Sequence, residues 1–209
     1  MMNNTTKSLL ILGLVLVGGY LIAELLHHPT STGAQSPTTR SPLSQVGSID
    51  ASTYRITDSA QIQPDQIDAI LLAYHSPTAG KGQSLYDLGQ KYHISSDAAL
   101  AFFGHESSFG TSGEARTSKS LGNVRCLGAD YADLQSWCQD GYAWFKSWEQ
   151  GFEAFYRLLR RLYVDGWNLT TLPAIIHRYA PSADNNDESA YVNELTLFLN
   201  AWYQGKVKP

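Results

Sequence analysis

The chain is poor in charge. Asp, Glu, Lys and Arg make up 16% of its 209 residues, against roughly 25% in ordinary soluble domains. So few charges, combined with many Tyr and Trp, exclude a solvated disordered polymer and call for a packed core. Long basic runs are missing as well. With a formal net charge of -4, the chain lacks the positive footprint that nucleic-acid binding requires. Arg157, Arg160 and Arg161 read as a helix flank, and Lys206 and Lys208 as a solvated tail. Phosphate-binding glycine loops are absent too: AGKGQS lacks the leading Gly and the spacing of a P-loop. No internal repeat appears, and cysteine is limited to Cys126 and Cys138.

What is present begins with one apolar run. After Lys7 comes LLILGLVLVGGYLIA, followed by Glu24 and two further leucines. A positive flank before an apolar stretch is the pattern of a signal peptide or signal anchor. At about 1.5 Å per residue, residues 9–26 nearly cross a hydrocarbon core of about 30 Å. No convincing small-residue cleavage site follows, which favours an uncleaved anchor over residues 1–26. Either form puts the remainder outside the cytoplasm. Residues 27–63 are rich in Ser, Thr, Pro and Gln and show no period, so they read as an extended linker. The folded domain is expected over residues 64–205.

Within that domain the helical period dominates. Pro64 opens a stripe of Ile67, Ile70, Leu71 and Tyr74, and a second stripe runs through Leu85, Leu88 and Tyr92. Ser95 or Ser96 caps a third helix carrying Ala99, Phe102, Phe103 and Glu106 on one face. Ser147 and Gln150 form a capping box for a helix whose core stripe is Trp148, Phe152, Phe155, Leu159 and Leu162. Thr170 or Thr171 opens the next helix, which Pro181 closes, and Tyr191, Leu195, Phe198, Leu199 and Trp202 form the buried face of the last. Between Leu121 and Phe145 the period vanishes, which fits a short β-hairpin or irregular lobe. The expected fold is mainly α with a small β element.

Glu106 is the residue that this pattern does not explain. It shares a helix face with Phe102 and Phe103, so it points inward. Burial disfavours the carboxylate, and the negative end of the helix dipole opposes ionisation again. A carboxylic acid kept protonated near neutral pH suits protonation of a glycosidic oxygen. Gly104, Ser107, Ser108, Gly110 and Gly113 then suggest open space for a polymer. A glutamate at a helix end is also commonly solvated, or paired with an arginine, here Arg116 or Arg125. Periodicity alone leaves both readings open.

Other chemistries fit less well. His105-Glu106 begins a zinc-protease pattern, but Phe109 stands where the second histidine belongs. His27, His28, His75 and His93 lack metal-ligand spacing. Cys126 and His177 suggest a nucleophile pair, yet an extracytoplasmic chain with one other nearby cysteine favours a Cys126–Cys138 disulfide. The Asn168 tripeptide NLT matches a glycosylation acceptor of a kind frequent by chance.

Four blocks in order, ALAFFGHESSFGTSGEA, SLGNVRC, YAWFKSWEQGFEAFYRLL and IIHRYAPSADNNDESAYVNEL, resemble the glucosaminidase-type peptidoglycan hydrolases of the lysozyme-like superfamily. The resemblance covers most of the expected domain. It implies a lysozyme-like helical fold, a groove for glycan strands, and hydrolysis of the β-1,4 bond after N-acetylglucosamine without metal or cofactor. Glu106 falls on the catalytic acid, Asn123 on a groove-side asparagine and Tyr179 on a tyrosine near the cleavage point. Tyr142 and Trp144 are further candidates for contact with sugar rings, with core and groove readings level. GNVRCLGAD departs from the N-x-F-G-I-K-like block of many relatives. Glu114, Asp130, Asp184 and Asp187 are the candidates for a second carboxylate. A lytic transglycosylase, or a wall-binding module without turnover, fits the same blocks.

Overall fold

A computed structural model describes residues 48–209; the apolar stretch 9–26 and the linker up to residue 47 lie outside the described residues. Pro64 starts helix α1 (Pro64–Ala73), which buries Ile67, Ile70 and Leu71. Helix α2 (Gly82–Tyr92) packs against it. Gly82 makes that contact possible, since a Cβ there would lie 2.3 Å from the Pro64 carbonyl oxygen. Helix α3 (Ser96–Ser107) is central, and Phe102 and Phe103 are fully buried. It is enclosed around most of its circumference rather than along one stripe, as expected for a helix apolar on nearly all sides. Ser95 stands at its N-cap, but no side-chain cap bond forms; the Ser95 hydroxyl accepts from Tyr54 instead.

After the one-turn helix α4 (Ala115–Ser118) comes the small lobe. Strands β1 (Trp137–Gln139) and β2 (Tyr142–Trp144) pair antiparallel, with Trp137 opposite Trp144, Cys138 opposite Ala143 and Gln139 opposite Tyr142. The connecting Asp140 and Gly141 both take positive φ, 51° and 82°, as a tight hairpin turn requires. Arg125 adds an antiparallel bridge to Tyr142. A disulfide joins Cys126 and Cys138, whose Cα atoms are 5.4 Å apart. Arg157, buried on the body, holds the lobe through paired bonds of 2.7 and 2.8 Å to Asp133.

Helix α5 (Trp148–Leu158) is capped as expected, with Ser147 accepting from the Gln150 amide; the Gln150 side chain accepts from Lys146. It does not continue as α-helix. Residues Leu159–Gly166 form a π-helical segment, and Arg160 pairs with Asp165 five positions on. The wider turn moves Leu162 off the core stripe and buries Tyr163 in its place. Helices α6 (Leu172–Tyr179) and α7 (Glu188–Tyr203) complete the body, with α7 lying along α3. Trp148, expected in the core, is only half-buried.

The segment before α1 corrects the expected domain start at residue 64. Ile56 and Ile62 are buried in the main core. Ile49 N donates to Asn200 Oδ1 at 2.8 Å, and Gln61 N donates to Asp97 Oδ2 at 2.6 Å. Residues 49–63 therefore form a strap across the ends of α3 and α7 rather than the tail of a linker.

Candidate active site

Glu106 occupies the last turn of α3, and the chain beyond that helix is tightly pinned. Ser108 and Phe109 both adopt positive φ, 46° and 57°, and their amides return to the Gly104 and Phe103 carbonyls. Two such residues in sequence are strained, and packing holds them: Phe109 is fully buried against Tyr74 and Phe198. Gly104 and Gly110 are part of this packing. A Cβ on Gly104 would meet the Phe109 and Phe198 rings at 2.8 and 2.9 Å, and one on Gly110 would meet Leu121 at 2.6 Å. Ser107 is buried and donates to the Leu121 carbonyl at 2.7 Å. The expectation that these residues leave space for a polymer is therefore corrected; they fix the helix end. Gly113 alone among those glycines faces open space, its nearest neighbour being the Asn123 amide.

Glu106 as a residue is half-buried, and its carboxyl accepts a 2.6 Å hydrogen bond from the Tyr191 hydroxyl. Burial pushes its pKa above the ordinary value of 4.5, against opposing pulls from the Tyr191 bond, His105, Asn123 and Arg125. The rise has the direction that the helix face implies. Tyr191 stays a donor: burial and the nearby Glu106 charge push its phenol well above the usual range. His105 stacks on Tyr191 with ring centroids 3.6 Å apart, and its Nδ1 lies 2.8 Å from Glu194.

The other sequence-expected residues divide into two groups. Asn123, at φ 44°, donates from Nδ2 to the Glu106 carbonyl at 2.6 Å. Its Oδ1 is buried without a protein partner. Tyr179 donates to the Gly122 carbonyl at 2.9 Å, and its ring lies 6.3 Å from Tyr191 and 5.4 Å from Phe102. Glu106, Asn123 and Tyr179 thus come together. Tyr142 and Trp144 are half-buried and share a face of the hairpin. Arg125 covers the Tyr142 ring at 4.2 Å, and Trp137 packs on Trp144 at 5.3 Å.

Of the carboxylates considered as partners, Asp187 caps α7 by accepting from Ala190. Glu114 and Asp130 are exposed, and Asp184 ends a short turn at Ser182–Asp184. Cys126 is in the disulfide, and exposed His177 pairs with Glu188, so the nucleophile pair is excluded. Among the described residues, no three His, Cys, Asp or Glu side chains gather as a metal set. Tyr191 is the site residue that sequence reasoning missed. Its place on the α7 core stripe hid it, although a phenol among Leu and Phe needs a partner when buried.

The fold resembles that of S. aureus autolysin E. Against that protein in complex with the muropeptide NAM-L-Ala-D-iGlu the TM-score is 0.56 at 13% identity, covering 76% of this chain and 74% of the other. Against a catalytic glutamate-to-alanine mutant of autolysin E in complex with the disaccharide NAG-NAM it is 0.55 at 14%, covering 77% and 75%. No protein-family model and no curated protein matches the chain.

Proposed function

We propose that the protein is a cell-wall glycoside hydrolase that cleaves β-1,4 bonds of peptidoglycan strands after N-acetylglucosamine. The observation that carries this reading is Glu106: a carboxyl at a rigid helix end, held by Tyr191 and shifted by burial toward its protonated form. The fold shared with an autolysin that binds muropeptide and NAG-NAM points to the same polymer. Glu106 gives its proton to the bridging oxygen as the C1–O bond breaks, and water completes hydrolysis at C1. Tyr191 orients the carboxyl, and Asn123 ties the lobe to the Glu106 backbone. Asn123, Tyr179, Tyr142 and Trp144 are the proposed sugar contacts. The disulfide fits an oxidising compartment, and residues 9–26 would tether the domain outside the membrane.

Digestion of purified peptidoglycan, followed by mass analysis of the fragments, tests the reading. Reducing N-acetylglucosamine ends are expected. Anhydro-muramic ends would establish a lytic transglycosylase instead, and glycan binding without fragments would establish a wall-binding module. Full-length protein in the cytosolic fraction would overturn the proposed location.

A further inference from the structure

Arg125 follows by two positions the Asn123 that bonds the Glu106 carbonyl at 2.6 Å, so a permanent positive charge stands on the chain next to the proposed general acid and works against its chemistry. A guanidinium is charged at every working pH, and its field favours the Glu106 anion over the acid that must donate. The same field also acts on the Tyr179 phenol, opposing the rise that burial causes there. Yet the structure holds this group firmly in place. The Arg125 backbone is bridged to Tyr142 in the small sheet, and Cys126 anchors the next position. Its guanidinium carbon lies 4.2 Å from the centre of the Tyr142 ring. Gly141 leaves room for it: a Cβ there would sit 3.1 Å from Nη1. The side chain is half-buried, and among the described residues it makes no ion pair. By contrast, Arg157 and Arg160 each meet an aspartate. A preorganised, unneutralised fork is suited to a carboxylate arriving from outside.

We propose that Arg125 receives a carboxylate of a muramyl unit, from the lactyl group or the peptide stem, and so selects acidic glycan strands over neutral N-acetylglucosamine polymers. This deepens the hydrolase reading and rests on it for the identity of the polymer. The incoming carboxylate also neutralises the cation that opposes protonation of Glu106, so the correct substrate improves the acid that acts on it.

Binding of N-acetylmuramyl-L-alanyl-D-isoglutamate to the intact protein tests this without turnover, because that ligand contains no inter-sugar bond. The free acid is expected to bind about 10–100-fold more tightly than the same compound with its carboxyls amidated, the span of a charge-assisted contact. In Arg125→Gln the difference disappears, and in Arg125→Lys part of it returns. N-acetylmuramic acid compared with its methyl ester separates the sources: a preference there assigns the lactyl carboxylate, and a preference only with the dipeptide assigns the stem. Equal binding of acid and amide to the unaltered protein would overturn the proposal. So would an equal loss of both in Arg125→Gln, or binding of neither. If the acid preference stands while peptidoglycan is not cleaved, the hydrolase reading falls and the carboxylate site remains.

Discussion

In the proposed mechanism the two oxygens of the Glu106 carboxyl carry most of the chemistry, and their surroundings make opposite demands. Burial favours the protonated form, while the 2.6 Å bond from Tyr191 favours the anion. Replacing Glu106 by Gln keeps the shape and removes the proton, so turnover of peptidoglycan is expected to fall by about 10²–10⁴-fold. Stability should move the other way. The folded pKa lies above the ordinary 4.5, so the native state binds the extra proton, and stability falls as pH rises from 4.5 through the raised value. Glu106→Gln never ionises, and it is expected to melt at or above the unaltered protein at neutral pH. A lower melting temperature with surviving turnover would make Glu106 a structural residue. Tyr191→Phe removes the bond that lowers the Glu106 pKa. The alkaline limb of the pH–rate profile should then shift to higher pH, and a shift to lower pH would contradict the assigned donor.

Helices and hairpin differ in how plainly the chain announces them. Apolar stripes at i, i+3 and i+4 located α1, α2, α5 and α7, because each packs one face on the core. The π-helical segment was not legible. Through Leu162 the sequence keeps an α-helical stripe, and the wider turn instead buries Tyr163, whose ring lies 6.0 Å from Tyr179 on another helix. At the site, Glu106 stood out as a charge on an apolar face. Tyr191 did not, since its hydroxyl bond spans 85 positions, beyond the reach of any local pattern. Nor did the packing role of Gly104, which depends on Phe198 of a distant helix. The cysteine bridge was legible and makes a direct test. It closes a separation of 12 residues, for which the chain-entropy account gives roughly 3 kcal/mol. A Cys126→Ser, Cys138→Ser double variant should lose about that much in denaturant unfolding, with weakened glycan binding because Arg125 and Tyr142 sit on the same lobe. Unchanged stability would mean that the lobe is held by its other ties, the Arg157–Asp133 pair and the Arg125–Tyr142 bridge among them.

At the scale of the whole molecule, the strap decides where the folding unit begins. Its composition continues the polar stretch before it, and its apolar residues Ile49, Ile56 and Ile62 follow neither a helical nor an alternating spacing. Single contacts hold it rather than a ladder: Ile56 N to the Thr170 carbonyl, Ser95 N to the Ile56 carbonyl, Ile49 N to Asn200 and Gln61 N to Asp97. Asp97 is the sharpest of these, a fully buried carboxylate at the N-terminal end of α3 that also accepts from Tyr203 on α7. Burial raises its pKa, and the Gln61 amide and Tyr203 hydroxyl oppose the rise. A chain of residues 64–209 loses two buried isoleucines, worth about 1.5–3 kcal/mol each, and takes the Gln61 amide from Asp97, leaving the Tyr203 hydroxyl as its donor. Against a total stability of about 5–15 kcal/mol, that is a large share. At about 2–4 °C per kcal/mol for a domain of this size, it should melt roughly 10 °C or more below a chain of residues 48–209, which keeps every strap contact. The mechanism adds a second consequence. Asp97 and Glu106 lie on the same helix, so loosening the Asp97 end of α3 should reduce turnover even where the shortened protein remains folded. Equal melting temperatures and equal turnover for the two chains would return residues 49–63 to the linker.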